Sequence, residues 1–339
     1  MRALYRSRIV FIGAVHEALP ALTELLTCPG AEVVLVLTAT PGGAAARSGA
    51  VDLVTPACRE GVLVLLSDDA NAPAVVRAIR ALAPDLVVVI GWNQPLRPEL
   101  LSIPLRGCVG FQVSLPSAER GHAPVNWAIL RGETAIDNTM IMLDPRAGAA
   151  PSDGLAQRPV PIGPRDTCAT VYRQVGQASA EMLIEHLPEL VRGTIPRWQR
   201  PAGSDVLPRR TPEMGVINWD QPPRAVHDWV RALTVPYPGA FTLLNGRRVM
   251  VWATELPGLG EPFAPAGQIA GLEPNGIRVG TRGGSVLVTR MSEAGRPPEH
   301  ARRWYRRGRS PLGSSFDPVP EDVVRWSHGE GRNPAVVVG

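Results

Sequence analysis

Histidine and cysteine are the side chains best suited to metal binding and to acid–base or nucleophilic chemistry near neutral pH. The chain has six of the first and four of the second. His16, His122, His186, His227, His300 and His328 contain no H-x-x-x-H or H-x-H pair, and Cys28, Cys58, Cys108 and Cys168 contain no C-x-x-C. That spacing assembles neither a local zinc site nor a redox pair, so no metal is expected and the cysteines read as buried free thiols. All 35 basic residues are arginine. Without a lysine amine, a pyridoxal Schiff base, a Walker phosphate loop and a lysine nucleophile are excluded. The first apolar run ends in Gly13-Ala14-Val15-His16, one glycine where the dinucleotide fingerprint has three, which argues against a nicotinamide enzyme.

Chemistry must then come from loops, and the surrounding elements say which ones. At 339 residues the chain has room for two domains. Apolar runs at Arg8–Gly13, Glu32–Leu37, Val62–Leu66 and Asp85–Ile90, with a helix over Pro73–Ala83, predict parallel strands buried on both faces and crossover helices. Further strands are predicted at Cys108–Val113 and Thr139–Leu143, with helices over Pro124–Arg131 and Asp166–Val191. Five short strands between Phe241 and Thr289, following a helix at Pro223–Leu233, predict a second, β-rich domain.

The expected architecture is α/β: an open, mostly parallel Rossmann-like sheet over residues 1–192, a Pro/Arg/Gly/Ser linker over 193–212, a small C-terminal β-barrel over 213–300, and an Arg/Gly/Pro-rich tail over 301–339. No apolar run approaches the ~18 residues that span a bilayer, and no secretory h-region is seen, so a cytoplasmic location without membrane contact is expected. A net charge of +4, with one basic cluster at Arg302–Arg309, does not imply nucleic acid, though tRNA stays open as a partner.

In an open parallel sheet, ligands bind beyond the carboxyl ends of the strands, which singles out the loops after Ile90, Val113 and Leu143. The first, Gly91-Trp92-Asn93-Gln94-Pro95-Leu96-Arg97-Pro98, offers an aromatic and backbone groups to a flat ring, or packs its Trp on the core. The second is punctuated by Gly and Pro: Ser114-Leu115-Pro116-Ser117-Ala118-Glu119-Arg120-Gly121-His122-Ala123-Pro124.

Here a resemblance emerges. The runs Gly107-Cys108-Val109-Gly110-Phe111-Gln112-Val113-Ser114-Leu115, Arg120-Gly121-His122-Ala123-Pro124-Val125-Asn126-Trp127-Ala128-Ile129, Gly132-Glu133-Thr134 and Thr139 to Asp144 resemble the 10-formyltetrahydrofolate-dependent formyltransferases. Their pattern is G-C-I-N-x-H-x-S-L-L-P-x-x-R-G-x-A-P-I-x-W-A-I, then G-E-T, then a strand ending in M-D-x-G-x-D-[ST]-G. Pro84–Leu101 is similar to the family's D-L-V-V-V-x-G-W segment, and Val230 to Phe241 to its R-A-L-T-P-P-Y-P-G-A-F.

The resemblance implies a tetrahydrofolate derivative, 10-formyltetrahydrofolate or another one-carbon folate, as cofactor. It implies a cofactor pocket at Ile90, Gly91, Trp92, Leu96, Ser114, Arg120, Gly121, Ala123 and Asp144. It also exposes three substitutions. The family's Asn, His and Asp around the formyl carbon fall on Gly110, Gln112 and Gly148, or on Ser152 rather than Gly148 if the loop carries an insertion. A glutamine can donate to an oxyanion but cannot take a proton near pH 7, so a general base worth ~10²–10⁴ in rate is missing there. The catalytic candidates are Gln112, a relocated His122, and Asp153.

Two functions fit. One is folate-dependent one-carbon transfer to a nitrogen of a small-molecule amine acceptor, in bacterial specialised metabolism, through an altered site. The other is a catalytically silent relative that binds folate, acceptor or a partner.

Overall fold

The computed structural model describes residues 6–117, 119–145, 152–200, 206–256, 264–308 and 313–330. The chain runs β1 (Ser7–Gly13), α1 (Ala18–Thr27), β2 (Ala31–Thr38), α2 (Pro41–Ala45), α3 (Val54–Arg59), β3 (Leu63–Leu66), α4 (Pro73–Ala81), β4 (Leu86–Ile90), α5 (Pro98–Leu101) and β5 (Cys108–Ser114). There follow β6 (Arg120–Gly121), α6 (Pro124–Leu130), β7 (Ala135–Leu143), β8 (Gly154–Pro161) and α7 (Cys168–Arg192). Then come β9 (Val206–Leu207), a 3-10 turn, α8 (Pro223–Leu233), β10 (Ala240–Leu244), β11 (Arg247–Glu255), β12 (Ile269–Glu273), β13 (Gly276–Thr281), β14 (Gly284–Glu293), β15 (Glu299–His300), α9 (Ala301–Gly308) and α10 (Glu321–Ser327).

Two compact units result, and they interleave along the chain. The first comprises residues 1–120, 135–161 and 170–206; the second comprises 121–134, 162–169 and 207–339. In the first unit seven strands lie in the order β3-β2-β1-β4-β5-β7-β8. The pairs among β1 to β5 are parallel, while β7 and β8 add antiparallel.

Strand alternation sends successive side chains to opposite faces. Ile9, Phe11, Leu86 and Val88 enter one core with Leu22, Leu25, Leu183 and Leu187. Val10, Ile12, Val87 and Val89 enter the other with Val76, Ile79 and Leu100. Both faces of β1 and β4 are therefore buried, as continuous apolar runs require. The edge strand β3 departs from that expectation: Leu63 is 61% exposed, because nothing pairs with its outer side in this sheet. β8 is an addition the sequence reading lacks. Its Pro159 and Pro161 disguise it, and they are tolerated because an edge strand leaves one row of N–H positions unpaired.

The second unit holds the antiparallel sheet β10-β11-β14-β13-β12. Its two edges are joined by one short segment. On the β12 side Ile269 N–H donates to Ser314 O at 2.8 Å and Phe316 N–H to Gly267 O at 2.9 Å; on the β10 side Asp317 N–H donates to Leu243 O at 2.8 Å. Phe316 stacks on Trp219 at 5.2 Å. The region read as a tail is thus partly folded: α9 buries Ala301, Trp304 and Tyr305, and α10 buries Val323. Trp and Val at helical spacing among arginines supply the apolar stripe that composition alone conceals. α6 also belongs to this unit, its buried Asn126 Nδ2 donating to Ala232 O at 2.7 Å.

The cysteine expectation needs correction. Cys108 and Cys168 are buried, and burial pushes their thiols up to about 12, but Cys58 is exposed and Cys28 half-buried. Cys58 sits in a six-residue helix that buries only Ala57.

Candidate functional site

The carboxyl ends of β4 and β7 and the middle of β5 border a cavity of about 250 Å³ in the first unit. Its walls include Val89, Gly91, Trp92, Leu96, Gly110, Phe111, Ile141 and Leu143. Gly91 turns the chain out of β4 at φ +65°, and a Cβ there would stand 2.5 Å from Val15 Cγ2, so both conformation and space demand glycine.

Hydrogen bonds to the turn after β3 hold this loop. Gln94 Nε2 donates to Asp69 Oδ1 at 2.6 Å while Gln94 Oε1 accepts from Ala70 N–H at 2.9 Å. Asn71 Nδ2 donates to Pro95 O, and Arg97 N–H donates to Asn71 Oδ1. The Gln94 amide, with the Asn71 N–H behind it, holds the Asp69 carboxyl below the usual carboxylate range. Trp92 is half-buried, with the Arg47 guanidinium 5.4 Å from its ring centroid. Its Nε1 is buried and has no hydrogen-bond partner in the protein. A buried indole N–H normally finds an acceptor, and none is present among the described residues.

Gln112 lies two residues beyond Gly110 on β5, on the same sheet face. Its Oε1 accepts from Arg200 Nη1 at 2.6 Å, and Arg200 is only 8% exposed. Arg200 is delivered by a backbone bridge two residues earlier: Gly154 N–H donates to Trp198 O at 2.9 Å, and Trp198 N–H to Gly154 O at 3.1 Å. A Cβ on residue 154 would lie 2.2 Å from the Trp198 indole, so glycine is what allows that approach. At Gly110 a Cβ would meet Leu143 Cδ1 and Cδ2 at 3.3 Å. Leu143 thus packs against position 110, and the Arg200 guanidinium packs against position 112.

Of the residues singled out from sequence, Gly91, Trp92 and Leu96 line the cavity. Ile90 is buried at the end of β4, Ser114 is buried at the end of β5, and Asp144 is half-buried after β7. Asp153 and Ser152 are half-buried just before Gly154, and Asp153 O accepts from Met142 N–H at 3.0 Å. Gly148 lies outside the described residues. Arg120 begins β6. Gly121, His122 and Ala123 fall in the second unit, where the His122 side chain is exposed and its N–H donates to Leu207 O. Ala123 takes a left-handed φ of +50° to start α6. Sequence reasoning missed Arg200, Leu143 and Gln94. Arg200 carried no signal, since it sits in a stretch that reads as linker and is 88 residues from its partner.

A family profile described as "Formyl transferase" matches residues 7–187, and one described as "Formyl transferase, C-terminal domain" matches 209–309. Methionyl-tRNA formyltransferase of Geotalea uraniireducens (strain Rf4) is 34% identical over 297 residues, covering 87% of this chain and 93% of the relative. That of Mycobacterium avium (strain 104) is 33% identical over 323 residues, covering 92% and 98%. Among solved structures, HypX from Aquifex aeolicus in complex with tetrahydrofolic acid superposes with a TM-score of 0.64 at 20% identity, covering 93% of this chain and 49% of HypX. WlaRD, a sugar 3N-formyl transferase solved with dTDP and 5-N-formyl-THF, superposes with a TM-score of 0.58 at 13% identity, covering 87% and 99%.

Proposed function

Since the chain belongs to the formyl transferase family, we propose that it transfers the one-carbon unit of 10-formyltetrahydrofolate, or of another one-carbon folate, to the nitrogen of a small-molecule amine. The observation that carries this reading is the Trp92 cavity at the carboxyl end of β4 and beside Gly110 and Phe111 of β5, with an indole N–H that has no acceptor among the described residues. Its volume suits a flat bicyclic head rather than a whole folate, and its lining mixes apolar side chains with the amides Asn93 and Gln94, as suits a heteroaromatic ring. The residues present therefore fit the cofactor, which when bound supplies a formyl group on a leaving nitrogen.

Trp92 Nε1 would donate to a ring acceptor of that head. Val89, Leu96, Phe111 and Leu143 would keep water from the cleft. Gln112 would turn its amide N–H toward the formyl oxygen, donating where negative charge develops. Gly91, Ile90, Ser114, Arg120, Gly121, Ala123 and Asp144 complete the proposed cofactor set, with His122 and Asp153 as further candidates for proton handling.

A second reading, methionyl-tRNA as acceptor, is favoured by the relatives' names. Calorimetry with tetrahydrofolate, followed by transfer assays with amine and methionyl-tRNA acceptors, decides among these. Binding without turnover on any acceptor would support a silent folate-binding protein, and no binding would end the folate reading.

A further inference from the structure

We propose that the groove between α4 and α5 binds the γ-linked glutamate tail of the folate whose head sits in the Trp92 cavity, so that the ligand of this site is a polyglutamyl rather than a monoglutamyl folate. The inference rests on the folate reading above and deepens it. Its ground is a set of three arginines gathered beside the loop that walls the cavity.

The groove encloses about 350 Å³ in the first unit. Helix α4 contributes Pro73, Val76, Arg77 and Arg80, a stripe at i, i+3, i+4 and i+7 that lies on one helical face. Opposite stand Arg97, at the start of α5, and Glu99 and Leu100 within it. Val76 and Leu100 are buried and form an apolar floor, while the three arginines are exposed. Elsewhere in this unit arginines find carboxylates: Arg47 meets Asp68 at 2.8 Å and Arg158 meets Glu185 at 3.0 Å. Among the described residues, the side chains of Arg77 and Arg80 make no hydrogen bond and no ion pair. The groove thus sets three positive charges against the single carboxylate of Glu99.

Groove and cavity share a wall. Leu96 lines the cavity and the next residue, Arg97, lines the groove, with consecutive Cα atoms ~3.8 Å apart. Asn71, itself in the groove, holds the loop between them: its Nδ2 donates to Pro95 O at 2.9 Å and its Oδ1 accepts from Arg97 N–H at 2.7 Å. The cavity takes a bicyclic head, so the rest of a folate lies outside it, and that rest ends in carboxylates. Each further γ-linked glutamate adds one carboxylate and a short methylene stem. A guanidinium donates two parallel N–H bonds to a carboxylate and stays charged at any working pH, which makes arginine the side chain suited to that contact. The stems suit the floor of Val76 and Leu100. A chain that alternates charge with methylene therefore matches arginines set above an apolar base.

The test compares tetrahydrofolate carrying one glutamate with tetrahydrofolate carrying five, by calorimetry on the full chain near pH 7. Exposed ion pairs are individually weak, so three together should tighten the five-glutamate compound roughly 10-fold over the one-glutamate compound at about 0.05 M salt. That advantage should largely vanish at about 0.5 M salt. Arg77→Gln combined with Arg80→Gln should bring the ratio of the two affinities below about 3. Arg59→Gln combined with Arg106→Gln removes the same charge from exposed positions outside the groove and should leave the ratio as it was. Equal affinity for the two compounds, a ratio that survives the groove variant, or one that falls equally in the control variant overturns the inference. So does a transfer RNA whose binding is weakened by the groove variant while the five-glutamate advantage is missing, since the groove would then face phosphates. Failure of both compounds to bind the unmutated chain would instead overturn the folate reading on which the inference rests.

Discussion

Two buried guanidiniums show how differently the same group is used in the two units. In the second unit Arg231 Nε donates to Asp228 Oδ1 at 2.6 Å, and its Nη1 donates to the carbonyls of Gly163 and Asp166 at 3.1 and 2.6 Å. Both side chains are about 5% exposed, and two separate stretches of chain, 163–166 and 228–231, meet there. In the first unit Arg200 spends a donor on a neutral amide of β5. The Arg231 set matches charge with charge and ties segments of the fold. The Arg200 contact matches charge with a dipole and chiefly fixes an orientation.

The contrast makes a quantitative claim. Arg231→Met leaves Asp228 buried without its closest partner and should cost about 3–5 kcal/mol in urea unfolding. A loss below ~1 kcal/mol would break the comparison. Gly110→Asn should destabilise the first unit by about 1–3 kcal/mol through overpacking against Leu143. Combining it with Leu143→Ala should recover part of that loss, a coupling that a double-mutant cycle would read directly. Arg200→Met should cost less than Arg231→Met, about 1–2 kcal/mol, because the Gln112 partner it leaves is a neutral carbonyl oxygen rather than a buried carboxylate. A loss as large as that of Arg231→Met would mean the two guanidiniums play one role. Trp92→Phe keeps the wall and removes the N–H, so tetrahydrofolate affinity in calorimetry should fall only about 5- to 10-fold.

A half-buried pair sharpens the comparison through pH. Glu17 is pushed above the ordinary carboxylate range by burial, against the opposing pull of His16 with Nε2 at 3.7 Å. The folded protein therefore holds a proton there that the unfolded chain has released, so stability should decline as pH rises from about 4.5 through the raised value. Glu17→Gln should flatten that decline in thermal unfolding measured between pH 4 and 8.

Much of the first unit was legible because its strands are buried on both faces and write themselves as continuous Val, Ile and Leu runs. β1 and β4 are the clearest cases. β8 was hidden because an edge strand tolerates proline, and α9 because four arginines mask Trp304 and Tyr305. The cavity wall was half legible. Gly91, Trp92 and Leu96 follow a predicted strand, at the place where ligands meet open sheets. Leu143 and Ile141 reach the same space only because β7 pairs antiparallel with β5.

The chain's own residue order determined which side chains stand at positions 110 and 112, and hence that position 112 carries an amide and not an imidazole. Side-chain type is a covalent fact and limits proton chemistry before any folding. What that amide presents was decided only by tertiary structure. Gln112 meets Arg200 across 88 residues because Gly154 lets Trp198 lie flat against its backbone, and no periodicity or local spacing encodes an approach made by segments so far apart.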